Sequence, residues 1–269
     1  MRSIRVLLAL VSSIGLAGCI NSTTLIKVNA DGSGTVEQTT LMNVASLKAM
    51  MPGVAQNGQG PNVLNKADLE RTAARMGKGV RLLSAEPAKN ASGFEGVKAI
   101  FAFDDINQVQ VSQDPGMSGS ADGRMSSEPT KDDPVKFKLA RNGSTSVLTI
   151  AFTDKPGGGG GKPPADAGDV PDLTNPMMMN MIKTMFQGFK INIDLEVAGP
   201  IIKTNAEYVN GSRITLLEMD MEALLADEAK FKALQSKLGP DASLSEVKPY
   251  LKDIKGIKID GPTITVEFR

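Results

Sequence analysis

Three turns constrain this chain more than any other feature. Asn29-Ala30-Asp31-Gly32-Ser33-Gly34, Asn142-Gly143 and Asn210-Gly211 each separate two extended-type stretches. Asn-Gly suits a two-residue hairpin turn because both positions need positive φ, and these residues reach it at least cost. Each turn therefore folds the chain back antiparallel, over residues 24–42, 135–152 and 203–219. Further strands are expected at 80–85 and 94–103, the second largely buried through Val97, Ile100, Phe101 and Phe103. Ile191, Ile193, Leu195 and Val197 alternate with Asn192, Asp194 and Glu196, which predicts a half-buried strand. The last strands are expected at 257–260 and 263–268.

Helices are fewer. Asn65 is placed to cap a helix carrying Asp68 in its first turn and Leu69, Ala73 and Met76 along one face, with Gly77 and Gly79 ending it. Residues 46–51 can hold a short helix, and 220–238 are helical in pattern. Ser243 and Glu246 form a capping box for another short helix. Strands joined by short turns, without regular βαβ crossovers, predict an α+β fold: a mainly antiparallel sheet built from hairpins, with a few packed helices. Residues 24–269 are expected to form one such domain. Two segments within it, about 112–134 and 154–174, are expected to be flexible from their Ser, Gly, Asp and Pro content.

The N-terminus reads M-R-S-I-R, then V-L-L-A-L-V-S-S-I-G, then L-A-G-C. A basic start, a short apolar run and small residues before a cut describe a secretory signal peptide, here residues 1–18. Leu16-Ala17-Gly18-Cys19 resembles the bacterial lipobox, in which the cysteine thiol receives a diacylglyceryl group and becomes the new, usually acylated, N-terminus. Cys19 is the single cysteine of the chain. The alternative is an ordinary signal peptide with a cysteine there by chance. At about 0.8 kcal/mol per buried CH₂, two or more acyl chains make a stable anchor. Residues 19–23 are expected to be the lipidated terminus and a short tether. Ile20 in place of Asp resembles the outer-membrane pattern of double-membraned bacteria, facing the periplasm.

Composition removes whole classes of chemistry. There is no His and one Cys, so neither His/Cys zinc sites nor Ser-His-Asp or Cys-His catalysis can be built. Lys+Arg and Asp+Glu are both 30, and nothing suggests nucleic acid. Carboxylates cluster at Asp104-Asp105, at Asp132-Asp133 and at Glu218, Asp220 and Glu222. A glycosidase needs two carboxyls facing one another; solvated turns and helix starts are the simpler expectation. Asn29-x-Asp31-x-Ser33-Gly34 imitates half of a calcium loop, but Thr40 stands where a bidentate Glu belongs, so a hairpin turn is expected and no metal. Gly157–Gly161 followed by Lys162 imitates a phosphate loop, yet Pro163 stands where Ser or Thr is needed. No cofactor is expected.

Five of the chain's 14 methionines fall in T-N-P-M-M-M-N-M-I-K-T-M-F-Q-G-F-K, residues 174–190. Asn175 can cap and Pro176 suits the first helical position. Met178, Met181, Ile182, Met185, Phe186 and Phe189 then recur at offsets of three and four, opposite Asn180, Lys183, Thr184, Gln187 and Lys190. This is an amphipathic helix. Its apolar face either packs on the sheet as core or serves as a lid or contact surface, a role to which flexible methionine is suited.

Around D-G-S-G-T-V-E and K-I-N-I-D-L-E-V-A-G-P-I-I-K-T-N-A-E-Y-V-N-G-S-R-I-T-L, the chain resembles the LppM-type bacterial lipoproteins, over about residues 20–225. The resemblance implies an envelope-anchored, β-rich domain, with binding of lipid or another hydrophobic ligand, and brings no catalytic residues. The chain departs from that pattern in its Gly-Pro linker, Met segment and C-terminal helical part. The function expected is that of a non-enzymatic, lipid-anchored envelope protein. Its partners would be the membrane, reached through the acyl chains, and a lipid or an envelope protein. A structural or assembly lipoprotein and a carboxylate hydrolase are the alternatives.

Overall fold

A computed structural model of the protein describes residues 20–43, 65–112, 134–152, 176–231 and 244–269. Expectations at Cys19, 46–51, Asp132-Asp133, Gly157–Gly161 and Ser243 fall outside these residues, as do most of the two segments expected to be flexible.

The fold is α+β, in two sheets. The larger contains β1 (Ile20–Val28), β2 (Gly34–Met42), β3 (Arg81–Lys89), β4 (Glu95–Phe103), β8 (Lys190–Val197), β10 (Val209–Asn210) and β11 (Arg213–Asp220). Their order is β10-β11-β8-β1-β2-β4-β3, with β12 (Ile257–Ile259) added on β11. The smaller sheet runs β5-β6-β7-β13-β9, from Gln110–Ser112, Pro134–Asn142, Thr145–Ala151, Thr263–Phe268 and Ile201–Thr204. All pairings are antiparallel except β1 with β8, which is parallel. β1 is thus a central strand, and its second neighbour comes from far along the chain.

Alternation makes the layers. In β6, β7 and β13, Phe137, Leu148, Ile150, Ile264, Val266 and Phe268 are buried while Lys136, Lys138 and Thr265 are exposed. These apolar rows join Ile26, Val36, Phe101, Phe103 and Leu195 of the larger sheet in one core. The sheets are also stitched at one end. Ser146 Oγ donates to the Ala30 carbonyl at 3.0 Å, and Leu139 N–H to Asn107 Oδ1 at 2.8 Å. Arg141 donates to the Asp31 carbonyl.

Four helices, one short 3₁₀ turn and a further helical stretch at 228–231 decorate the sheets among the described residues. α1 (Lys66–Met76) starts where Asn65 Oδ1 accepts the Ala67 N–H at 3.1 Å, and buries Ala73 and Met76. It ends at Gly77, with φ 139°, whose α-carbon is pressed against the Gln108 carbonyl. α2 is Pro176–Met185, α3 Met221–Ala226 and α4 Leu244–Leu251.

Three expectations require correction. The helix over 220–238 breaks at Asp227, whose carboxylate accepts the Lys230 N–H at 3.1 Å and so caps a new turn. The strand over 203–209 is split: β9 pairs with β13 in the smaller sheet, while β10 pairs with β11 in the larger. Asn205 causes the switch, because its side chain takes the place of backbone against β13, donating to Thr263 O at 3.0 Å and accepting from Thr265 N–H at 2.7 Å. The expected tether at 20–23 is strand instead. Ile20 and Ser22 are buried, and the backbone there lies between β2 and β8.

Candidate functional site

Strand register defines one end of the larger sheet. Ile20 lies opposite Met42, Met42 opposite Glu95, and Glu95 opposite Lys89. On the other side Asn21 stands beside Lys190, and Lys190 opposite Asp220. At about 3.3 Å per residue, this edge is roughly 25–30 Å from the opposite end, where β1 reaches Val28. Cys19 lies outside the described residues, but its peptide bond to Ile20 keeps the two α-carbons about 3.8 Å apart.

The methionine-rich helix forms as expected and leads into β8 at this same end. Of its expected apolar face, Ile182, Phe186 and Phe189 are half-buried. The side chains of Met178, Met181 and Met185 are outside the described set. The most buried described member is Met179, 4% exposed, while Met177 is 80% exposed. Met179, Ile182 and Phe186 are spaced by three and four, so the sequence carries a second helical stripe, through Met179, beside the one through Met178. The polar face holds: Asn180, Thr184 and Gln187 are exposed, and Lys183 pairs with Glu228 at 2.6 Å.

The turn after α2 is aromatic and tightly seated. Phe186 and Phe189 meet edge to face, with centroids 5.9 Å apart. Gly188, with φ 76°, approaches so closely that a β-carbon there would lie 2.5 Å from the Phe94 ring. Phe94 closes the neighbouring turn, Asn90 to Phe94, in which Asn90 Oδ1 accepts the N–H groups of Ser92 and Phe94 at 3.0 Å each. The Phe189 carbonyl accepts the Met221 N–H at 3.1 Å, which ties the turn to α3. Lys190 and Asp220 pair at 2.6 Å, and that hydrogen bond raises the lysine above its ordinary range. Lys89 and Glu95 pair at 2.7 Å.

The carboxylates expected as a possible catalytic pair are not brought together. Asp220 caps α3 through the Ala223 N–H at 3.1 Å, and Glu218 pairs with Lys258 at 2.6 Å. Asp104 pairs with Arg81 at 2.9 Å, and Asp105 caps the 3₁₀ turn through Asn107 N–H at 3.0 Å. Asp104 follows Phe103, which lies opposite Gly34 at the far end of the sheet from Asp220. That separation is several times the roughly 5–10 Å a glycosidase pair requires. The Asn29–Gly34 segment is a hairpin turn. Asp31 Oδ1 accepts from Ser33 N–H at 2.9 Å and Ser33 Oγ at 2.6 Å, and these bonds lower its pKa. Thr40, the twelfth position of the imitated loop, is fixed opposite Ser22 in the sheet.

One ionisable cluster had no sequence signal. Asp260, 7% exposed, accepts the Glu207 N–H at 3.0 Å and the Gly261 N–H at 2.7 Å. Burial raises its pKa and these two bonds oppose the rise. Lys248 pairs with Glu207 at 2.6 Å and lowers the glutamate. The cluster joins residues distant in sequence, so only the fold reveals it. With both oxygens already accepting backbone donors, it reads as a clamp between the β12–β13 turn and the strand switch. Asp194, expected to be solvated, is 9% exposed, flanked by Leu25 of β1 and Thr215 of β11 with the Arg213 guanidinium 4.0 Å away.

Among the described residues no helix is long and apolar enough to cross a membrane, and no group of three acidic or cysteine residues is arranged to hold a metal. No protein family profile matches the chain, and no curated protein matches it. The chain is structurally similar, at a distance, to the folded domain of LppM from Mycobacterium tuberculosis, determined by NMR. The match covers 94% of this chain and 91% of that one, with 10% identity and a TM-score of 0.35.

Proposed function

We propose that this is a lipid-anchored protein of the bacterial cell envelope, non-enzymatic, which presents its domain to a hydrophobic ligand or a protein partner at the membrane surface. The observation that carries the reading is Leu16-Ala17-Gly18-Cys19: the chain's single cysteine stands where a lipobox would be acylated, one bond before the folded sheet. Ile20 in the following position favours the outer membrane, facing the periplasm, in a bacterium with two membranes. The contact residues proposed are those of the methionine-rich helix and the turn after it: Met178, Met181, Ile182, Met185, Phe186 and Phe189. Two features support that choice. Gly-Pro-rich sequence precedes the helix, and its turn lies at the end of the sheet where β1 begins.

The test is intact-mass measurement and fractionation of the parent and of Cys19→Ser. The parent should carry the mass of a diacylglyceryl group and partition into detergent. The variant should remain unprocessed or leave the detergent phase. A processed variant that fractionates as the parent does would sink the anchor reading.

A further inference from the structure

We infer that the Ile20 end of the larger sheet, formed by the turns Asn90 to Phe94 and Phe186 to Phe189, is a foot that rests on the bilayer, with the strands standing away from it. The inference builds on the proposed acylation of Cys19 and concerns what that acylation does to the domain.

The argument is geometric. Lipoproteins commonly hold a domain off the membrane on a flexible segment, whereas here the strand begins at the residue after the acylated position. β1 is hydrogen-bonded on both sides along its length, so it cannot be drawn out as a leash without opening the sheet. An acyl chain on Cys19 would therefore pull the end of a rigid sheet against the headgroups. Register names what lies beside it. Phe189 immediately precedes Lys190, the partner of Asn21, and so stands level with Ile20. Phe94 immediately precedes Glu95, two strands away in the same row.

The chemistry of this end suits an uncharged contact. Three of its lysines are neutralised in place: Lys89 by Glu95, Lys190 by Asp220 and Lys183 by Glu228, at 2.7, 2.6 and 2.6 Å, and the exposed Glu222 and Lys255 beside Asp220 add one charge of each sign. Half-buried Phe186 and Phe189 offer aromatic edges at headgroup depth, and Ser92 and Gln187 are exposed there. Gly188 seated on Phe94 locks the two turns into one surface. The contact should thus be largely indifferent to anionic lipid.

The experiment uses the full acylated chain, reconstituted into phosphatidylcholine vesicles containing a headgroup-proximal spin-labelled lipid. Because acylation blocks Cys19, a single fluorophore can be placed at Gln187→Cys or at Ser144→Cys. Ser144 lies in the β6–β7 turn, at the end stitched to Ala30 and Asp31. The fluorophore at 187 should be strongly quenched. That at 144, roughly 25–30 Å away along the strands, should be nearly unaffected. Adding phosphatidylglycerol should leave both values unchanged. Equal quenching at the two sites, or stronger quenching at 144, would overturn the upright orientation. Quenching at 187 that requires phosphatidylglycerol would overturn the neutral contact. Intact mass separates the two readings: an unmodified Cys19 removes both, whereas an acylated Cys19 with no quenching at 187 removes only the foot.

Discussion

Asn205 Oδ1 accepts the backbone N–H of Thr265 at 2.7 Å, so that a side chain serves as the last rung of a β-ladder. Its amide nitrogen donates to Thr263 O at 3.0 Å. Two such bonds contribute about 1–3 kcal/mol in total. Asn205→Ala should lower the urea unfolding free energy by that amount. Asn205→Asp keeps the acceptor but sets a carboxylate oxygen against the Thr263 carbonyl, so its loss should be at least as large.

Gly188 and Phe94 should be energetically coupled. Gly188→Ala brings two penalties: positive φ, about 1–2 kcal/mol, and a collision with the ring. In a Phe94→Ala background the ring is gone and only the backbone penalty remains. A double-mutant cycle by chemical denaturation should therefore give a coupling of about 1 kcal/mol or more. Additive effects would mean that the turn already stands clear of Phe94.

Gly77→Ala should be more damaging than Gly188→Ala in the parent. At Gly77 the new β-carbon meets the backbone carbonyl of Gln108, which cannot rotate away as a side chain can, and φ is 139°. A loss of about 3 kcal/mol or more is expected. It should appear in thermal unfolding and as faster amide exchange at Val109, which forms an isolated bridge with Gly77.

Asp260 should give stability an inverted pH dependence. Burial raises its folded pKa above 3.8, so between 3.8 and the folded value the native state binds more protons than the unfolded chain. Its contribution is therefore greatest below that window and falls as pH rises through it. Glu207 acts with the opposite sign: Lys248 lowers its pKa, so its contribution is lost as pH falls. Melting temperatures across the acid range should show Asp260→Asn losing the decline with rising pH. Glu207→Gln should lose the decline with falling pH. An unchanged profile for Asp260→Asn would show that Asp260 titrates alike in both states.

The hairpins, α1 and the fold class were legible in the sequence because each rests on local rules. Asn-Gly turns, the Asn65 cap and period-two alternation act within a few residues. What escaped is non-local. Nothing near Ile20 announces that its strand will lie parallel to Lys190–Val197, and that pairing explains both the missing tether and the burial of Asp194. The β9–β10 switch was hidden because Asn205 acts through partners sixty residues on. In α2 periodicity gave the helix and its polar face. With three consecutive methionines, Met177 to Met179, it could not choose which one turns inward.

The parallel pairing of β1 and β8 also sets an order of events. A polypeptide emerges N-terminus first, whether from a ribosome or from a secretion channel. β1 can zip to β2 at once, but its other edge has no native partner until residues 190–197 have followed. Throughout that interval an unsatisfied edge rich in Thr, Leu, Ile and Val is open to neighbouring chains, the condition under which β-rich proteins clump. A newly delivered molecule of this protein is therefore most exposed to edge-to-edge association before its second half arrives.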